Sequence, residues 1–360
     1  MGIIISDEIE KECLNLLALY TDREYCKRHI LTIYRNLSDY KQSRVSSRIK
    51  SYVEQAMSFL SETDQNMYSA PLTLFYSINN FSKAVFYANR PNETIAGKHG
   101  IDLFQKDNEI EKIKELGDIR IVVNSKGAFS SLINITGDSL NTGDVISLKD
   151  IFSLMPELRE LYYARYLEEP NVYLLRPIGV REVSYDVIFQ TSDLTGVRSR
   201  DFSLMHDNSM HIEILGQTAS IWGGGNATKS SKSNTTYADI FGNTYCTNGI
   251  SINSKRVKIS KMVSLYICYY AFGMMVRYHP DVWKVFCESA DIGIIRKLLS
   301  NCRREMLVEV LQLMNGEKYS FTTKIEPVEE PLDGTVLLKV LRNELSKEKK
   351  RTGRNILLDI

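Results

Sequence analysis

The chain has 360 residues, 43% of them hydrophobic, which allows two or three domains, supplies ample material for a packed core and excludes an intrinsically disordered class. Lys and Arg total 45 against 44 for Asp and Glu, a formal charge of +1, so no global field attracts nucleic acid or anionic lipid and any such contact needs a local patch. The six cysteines, Cys13, Cys26, Cys246, Cys268, Cys287 and Cys302, contain no CxxC pair and fall mostly on apolar helical faces, the pattern of free thiols in a reducing cytoplasm.

Met1 to Ile5 lacks the basic and apolar regions of a signal peptide, and Gly2 with Ser6 fits only the bare myristoylation pattern. From Ser6 to Leu60 the chain reads as helical. Ile9, Cys13, Leu16, Leu17 and Tyr20 form one stripe, Ile30, Ile33, Tyr34, Leu37 and Tyr40 a second, and Val45, Ile49, Val53, Met57 and Leu60 a third. A firm helix follows between the N-cap candidate Ser69 and Pro91, with Leu74, Phe75, Ile78, Phe81, Val85 and Ala88 as its core stripe. Its other face, Ser77, Asn80, Lys83 and Ala84, is small or polar enough for a second helix to approach. Residues 92–99 read as a loop and Asn108 to Leu116 as a short charged helix.

The period then changes. Ile119 to Val123, Ala128 to Thr136, Val172 to Pro177, Ser184 to Thr191, His211 to Ile221, Ile240 to Cys246 and Gly249 to Ile252 are β-leaning, with Val122 to Ala128 read as a hairpin turn and one helix, Leu148 to Tyr166, interrupting them. Gly223 to Thr236 is too polar and glycine-rich to bury anything. After the N-cap candidate Ser260, the apolar run up to Arg277 is too short for the ~20 residues of a membrane span and predicts a helix buried on all sides. Pro280 redirects it, a long helix is expected from about Asp291 to Asn315, and a linker, a short helix and the basic run Lys347 to Arg354 end the chain.

Two blocks carry a resemblance. Ser69-Ala70-Pro71, Leu74-Phe75-Tyr76, Lys83-Ala84 and Lys98-His99-Gly100 look like the first signature of the bacterial YaaC-like proteins, and Arg277-Tyr278-His279-Pro280 with Trp283 resembles that family's later signature. The resemblance implies a cytoplasmic bacterial protein and brings no settled activity. The aromatic helix with its Lys-Ala pair also resembles the helices of HEPN domains, a group of RNA-linked modules that includes ribonucleases and non-catalytic binders. That second resemblance implies a test, because catalytic HEPN members carry an Arg followed after four to six residues by a His. Arg23 with His29, and Arg200 with His206, fit the spacing, at the frequency expected by chance.

Other motifs carry less. Gly223 to Ser230 comes near a phosphate-binding loop but has Thr228 where glycine must precede the lysine. His206 and His211, with Asp207 between, are the closest approach to a metal pair, and no zinc spacing occurs. His99 is a candidate for hydrogen bonding or proton transfer, and Arg277 beside aromatics for holding an anion. If the two signature blocks meet, Lys83, His99, Arg277 and His279 line one polar pocket, with His99, Arg277 and His279 as the candidates for catalysis and Lys83, His99 and Arg277 for ligand binding.

The expected fold is α+β: an N-terminal helical segment (1–117), a β-rich antiparallel insertion (118–257), a C-terminal helical segment packing on the first (258–316) and a tail (317–360). The expected function is a cytoplasmic binding or assembly module for RNA, a nucleotide or a protein partner, homo-oligomers included, in stress or antiphage defence. No metal, cofactor or membrane span is expected. The competing expectation is a metal-independent HEPN-type ribonuclease.

Overall fold

A computed structural model describes residues 2–322 except 7, 64–65, 179–182, 189–209, 216–217, 224–235, 239–242 and 248. The Arg200–His206 pair, most of the glycine-rich loop and the short helix and basic tail at the C-terminus lie outside the described residues. The N-terminal strand β1 (Gly2–Ile5) pairs in parallel with β13 (Tyr319–Thr322), tying the start of the chain to the end of the helical region. Helices α1 (Ile9–Ala18), α2 (Arg23–Ile33), α3 (Asp39–Ser61) and α4 (Ala70–Asn89) follow. The expected stripes on α1 and α3 are buried apart from the half-buried Leu16 and Met57, whereas Ile33, the last residue of α2, and Tyr40, in the first turn of α3, are exposed.

Helix α4 is buried on almost every side. Its small face admits α3, where the Ser77 hydroxyl donates to the Ala56 carbonyl (3.0 Å) and Ala84 is fully covered. Across its other flank lies α9 (Lys261–Tyr278), whose residues from Lys261 to Met275 are all buried, as the apolar run predicts. The Ser260 side chain caps α9 by accepting from the Val263 amide. Gly273 lets α9 approach α4: a Cβ there would stand 3.2 Å from the Phe75 Cβ. Phe81 and Tyr270 share one apolar core, so the early and late segments clasp each other in a helical core.

Between them the chain departs from expectation. Strands β2 (Ile101–Leu103), β3 (Arg120–Val123) and β4 (Val145–Ser147) make a small antiparallel sheet in the order β2-β3-β4. The charged helix expected from Asn108 is the single turn α5 (Asp107–Ile110). Ala128 to Thr136, read as a strand after a hairpin turn, is helix α6 (Ala128–Thr136). Its β-branched residues favour a strand locally, but Phe129, Leu132 and Ile133 form a buried face against α4 and α9, and tertiary packing overrides propensity. The single helix expected at Leu148 to Tyr166 is broken into α7 (Leu148–Ser153) and α8 (Arg159–Tyr166) by Pro156, which forces Met155 into an extended conformation. Residues 118–166 therefore belong largely to the core, not to a β-rich insertion.

The larger sheet begins at Val172: β5 (Val172–Ile178), β6 (Val183–Ile188), β7 (Met210–Leu215), β8 (Thr218–Gly223), β9 (Thr236–Ala238) and β10 (Thr244–Thr247) pair antiparallel in the order β7-β8-β6-β5-β10-β9. The hairpin β11 (Ile250–Ile252) and β12 (Lys255–Val257) turns through Asn253 and Ser254, both at positive φ, and leads into α9. Then come α10 (Pro280–Cys287), α11 (Ile292–Ser300) and α12 (Cys302–Asn315); the long helix expected here is interrupted at Asn301. The molecule is an α+β fold with a helical core.

Candidate functional site

The first signature block ends where two backbones cross. Gly100, at φ +83°, and Gly127, at φ +143°, lie so close that a Cβ on Gly127 would stand 2.3 Å from the Gly100 nitrogen. Helix α6 starts at this crossing, and its first amides hold the loop: Ala128 donates to the Lys98 carbonyl (3.0 Å) and Phe129 to the His99 carbonyl (2.8 Å). The Lys-His-Gly sequence is thus clamped by its backbone, leaving the His99 side chain at the surface.

His99 stands edge-on to Phe75 (5.2 Å between ring centres) and 6.1 Å from Tyr270. Covering by these rings pushes its pKa below the usual imidazole value, the Lys83 charge pushes the same way, Asp102 opposes them, and Arg277 adds a further cation. Asp102 is held by Asn124, whose amide donates to Oδ2 at 2.6 Å. Lys83 projects from α4 over the Tyr52 ring of α3 (5.4 Å), and burial lowers its pKa too. Arg277, exposed at the end of α9, donates through Nη1 to the Tyr76 hydroxyl (3.1 Å) and lies 5.1 Å from the centre of the Tyr278 ring.

The charges of Lys83 and Arg277 therefore both act on the His99 imidazole, which stands at the surface and not in an enclosed pocket. His279 is not with them: its Nε2 faces Asp107 at 3.8 Å, its amide closes α9 on the Met275 carbonyl, and its carbonyl receives the Trp283 amide. Trp283, fully buried, donates from its indole to the Met67 carbonyl just ahead of α4 (2.8 Å), so much of the later signature is a clasp on the earlier one. The Arg23–His29 spacing is likewise structural. His29 donates to the Met314 carbonyl (2.9 Å) and contacts Tyr20, and burial lowers its pKa, while Arg23 is exposed.

Sequence reasoning gave no role to Tyr52, Tyr76, Asp102 or Tyr270: Tyr76 precedes Lys83 and Tyr270 precedes Arg277 by seven residues, two helical turns, whereas Tyr52 and Asp102 lie on other elements and come near them only through the fold. It also read Lys261 merely as the start of an apolar helix. Buried at the foot of α9, Lys261 bridges Glu157 (2.7 Å) and Glu305 (2.9 Å). Burial pushes Glu305 up to about 7, with the Glu157 charge adding to the shift and Lys261 opposing it. Among the described residues no cluster of His, Cys, Asp or Glu could hold a metal ion. Cavities of about 490 Å³, beside Gln105 and Arg120, and about 150 Å³, beside Glu157 and Arg304, lie away from His99.

Fold and site together define an α+β protein with a helical core and an exposed cationic–aromatic face. The chain belongs to the YaaC-like family, whose model matches residues 18–314 and so takes in both signature blocks. No curated protein and no solved structure matches it. No helix among the described residues is long and apolar enough to cross a membrane.

Proposed function

We propose that this protein is a cytoplasmic bacterial binding module that takes a phosphate-bearing ligand, a nucleotide or RNA, on the face formed by Lys83, His99 and Arg277, without turning it over. One arrangement carries the reading: the exposed His99 imidazole feels two cations, Lys83 placed over the Tyr52 ring and Arg277 placed on the Tyr76 hydroxyl, against the single carboxylate of Asp102. A phosphate would add negative charge beside the two cations and accept charge-assisted hydrogen bonds from Arg277 and, once it is protonated, from His99. The same arrangement argues against a ribonuclease of the HEPN kind, in which an Arg and a His converge on one ribose-phosphate. Here Arg277 bonds to Tyr76, and His29 is occupied by the Met314 carbonyl.

The test is fluorescence anisotropy with labelled ATP and a short labelled RNA against the wild-type protein, His99→Ala and Arg277→Ala, with the RNA afterwards run on a denaturing gel. Each substitution is expected to weaken binding by roughly tenfold, the scale of one charge-assisted hydrogen bond, with the RNA intact. Unchanged affinity in both variants overturns the site. Cleavage that disappears in His99→Ala establishes the nuclease instead.

A further inference from the structure

The His99 face continues along a ridge. Helices α3 and α4 run antiparallel, and side chains on them and on the loop after α4 meet at successive levels: Lys41 donates to Asn92 Oδ1 of that loop (3.1 Å), Arg48 lies over the Tyr87 ring (4.9 Å), Lys83 over Tyr52 (5.4 Å), and Phe59 stacks on Tyr76 (5.2 Å), whose hydroxyl receives Arg277. On α3, Lys41, Arg44 and Arg48 recur at steps of three and four and so share one side. No acid joins them there. Helix α4 contains no Asp or Glu, while on α3 Asp39 falls on the opposite side and Glu54, about 120° round the helix from Arg48, pairs with Lys50 (3.2 Å). Lys41, Arg48 and Lys83 are held by an amide oxygen or a ring face, so their charge is positioned without being neutralised.

We infer that this ridge is the track of a single-stranded polynucleotide, whose phosphates run from Arg277 past Lys83 and Arg48 to Arg44 and Lys41. The inference rests on the phosphate-binding reading of the His99 face and extends it to a ligand class. From Lys41 to Phe59 the track is about 27 Å long, which exceeds what one nucleotide can neutralise. Tyr278 at one end and Tyr40 at the other are 59% and 74% exposed, offering ring faces to unpaired bases that a duplex keeps stacked inside itself.

Labelled oligouridylates and oligothymidylates of about 4, 8 and 12 nucleotides, bracketing the usual size of single-strand sites, supply the test by anisotropy across a salt series. The wild-type protein is expected to gain roughly tenfold in affinity from the shortest to the longer oligomers. Lys41→Gln/Arg44→Gln, two exposed positions whose replacement leaves the core untouched, should erase that gain, keep wild-type affinity for the shortest oligomer and cut the salt slope by about 1.4, or 0.7 for each lost contact. Parallel results for the two sugars mark recognition through phosphate and base, and a preference for the uridylates marks an RNA track; either supports the inference. Affinity independent of length, unaltered binding of long oligomers by the double variant, or equal competition by a duplex or by polyglutamate overturns the track. If the shortest oligomers and ATP still bind in those cases, the His99 site stands alone; if no oligomer and no ATP binds, both readings fall.

Discussion

Two groups of charges, at opposite ends of α9, show how differently one protein can use them. At the Lys261 end the charges are buried and paired: one ammonium at the start of α9 bridges Glu157, in the turn just ahead of α8, and Glu305 of α12, where water screens them little. At the Arg277 end the cations stay near solvent, anchored by tyrosines, with little opposite charge beside them. The first group is committed to holding the fold. The second contributes little to the fold and leaves its electrostatic capacity open.

The sharpest way to break this contrast is at the closed end. Glu305→Ala strands Lys261 with a single partner and is expected to lower stability by about 3–5 kcal/mol, read by urea melts. If the loss is below about 1 kcal/mol, the group is not the structural anchor described. Next comes the clamp under the open end. Gly127→Ala should cost about 1–3 kcal/mol, because it places a Cβ against the Gly100 backbone at a positive φ, and it should weaken phosphate binding as well by displacing the His99 loop. Stability and binding that are both unchanged would show that the loop is positioned some other way.

A smaller effect follows from the Glu305 proton. Its carboxyl is protonated up to about 7 in the folded protein and only near the ordinary carboxylate value of 4.5 when unfolded, so folding takes up a proton between those values. That contribution is present at low pH and fades as pH rises towards 7. Thermal melts across this range should show Glu305→Gln with a flatter pH profile than the wild type, and identical profiles would contradict the shift. Smallest of all is the effect on stability at the open end: Arg277→Ala should stay within about 0.5 kcal/mol of wild type. Its consequence is expected in binding, where affinity for phosphate ligands should rise as pH falls through the imidazole range, since a bound anion raises a pKa that burial and Lys83 have lowered. His99→Ala should flatten that rise.

Much of the helical core was legible in the residues themselves. Ser69 to Ala88 and Ser260 to Arg277 read as helices because proline, capping residues and continuous apolar stripes are local signals, and both are buried as expected. Lys83, His99, Arg277 and His279 were singled out by their place in the two signature blocks as the lining of one polar pocket; the charges of Lys83 and Arg277 act on His99, while His279 turns towards Asp107. Helix α6 was missed because its β-branched residues favour a strand until α4 and α9 offer a buried surface.

What the sequence determined by itself is the set of segments that had to be covered by others, since burial demand is written in the spacing of apolar residues along a single strand of chain. Only the tertiary structure decided which charges would be neutralised. Lys261 meets Glu157 and Glu305 across 104 and 44 residues of chain, and Arg277 meets Tyr76 across 201. Pairings at such separations follow from how helices cross and where two glycines let backbones touch, and neither leaves a periodic trace in the order of residues.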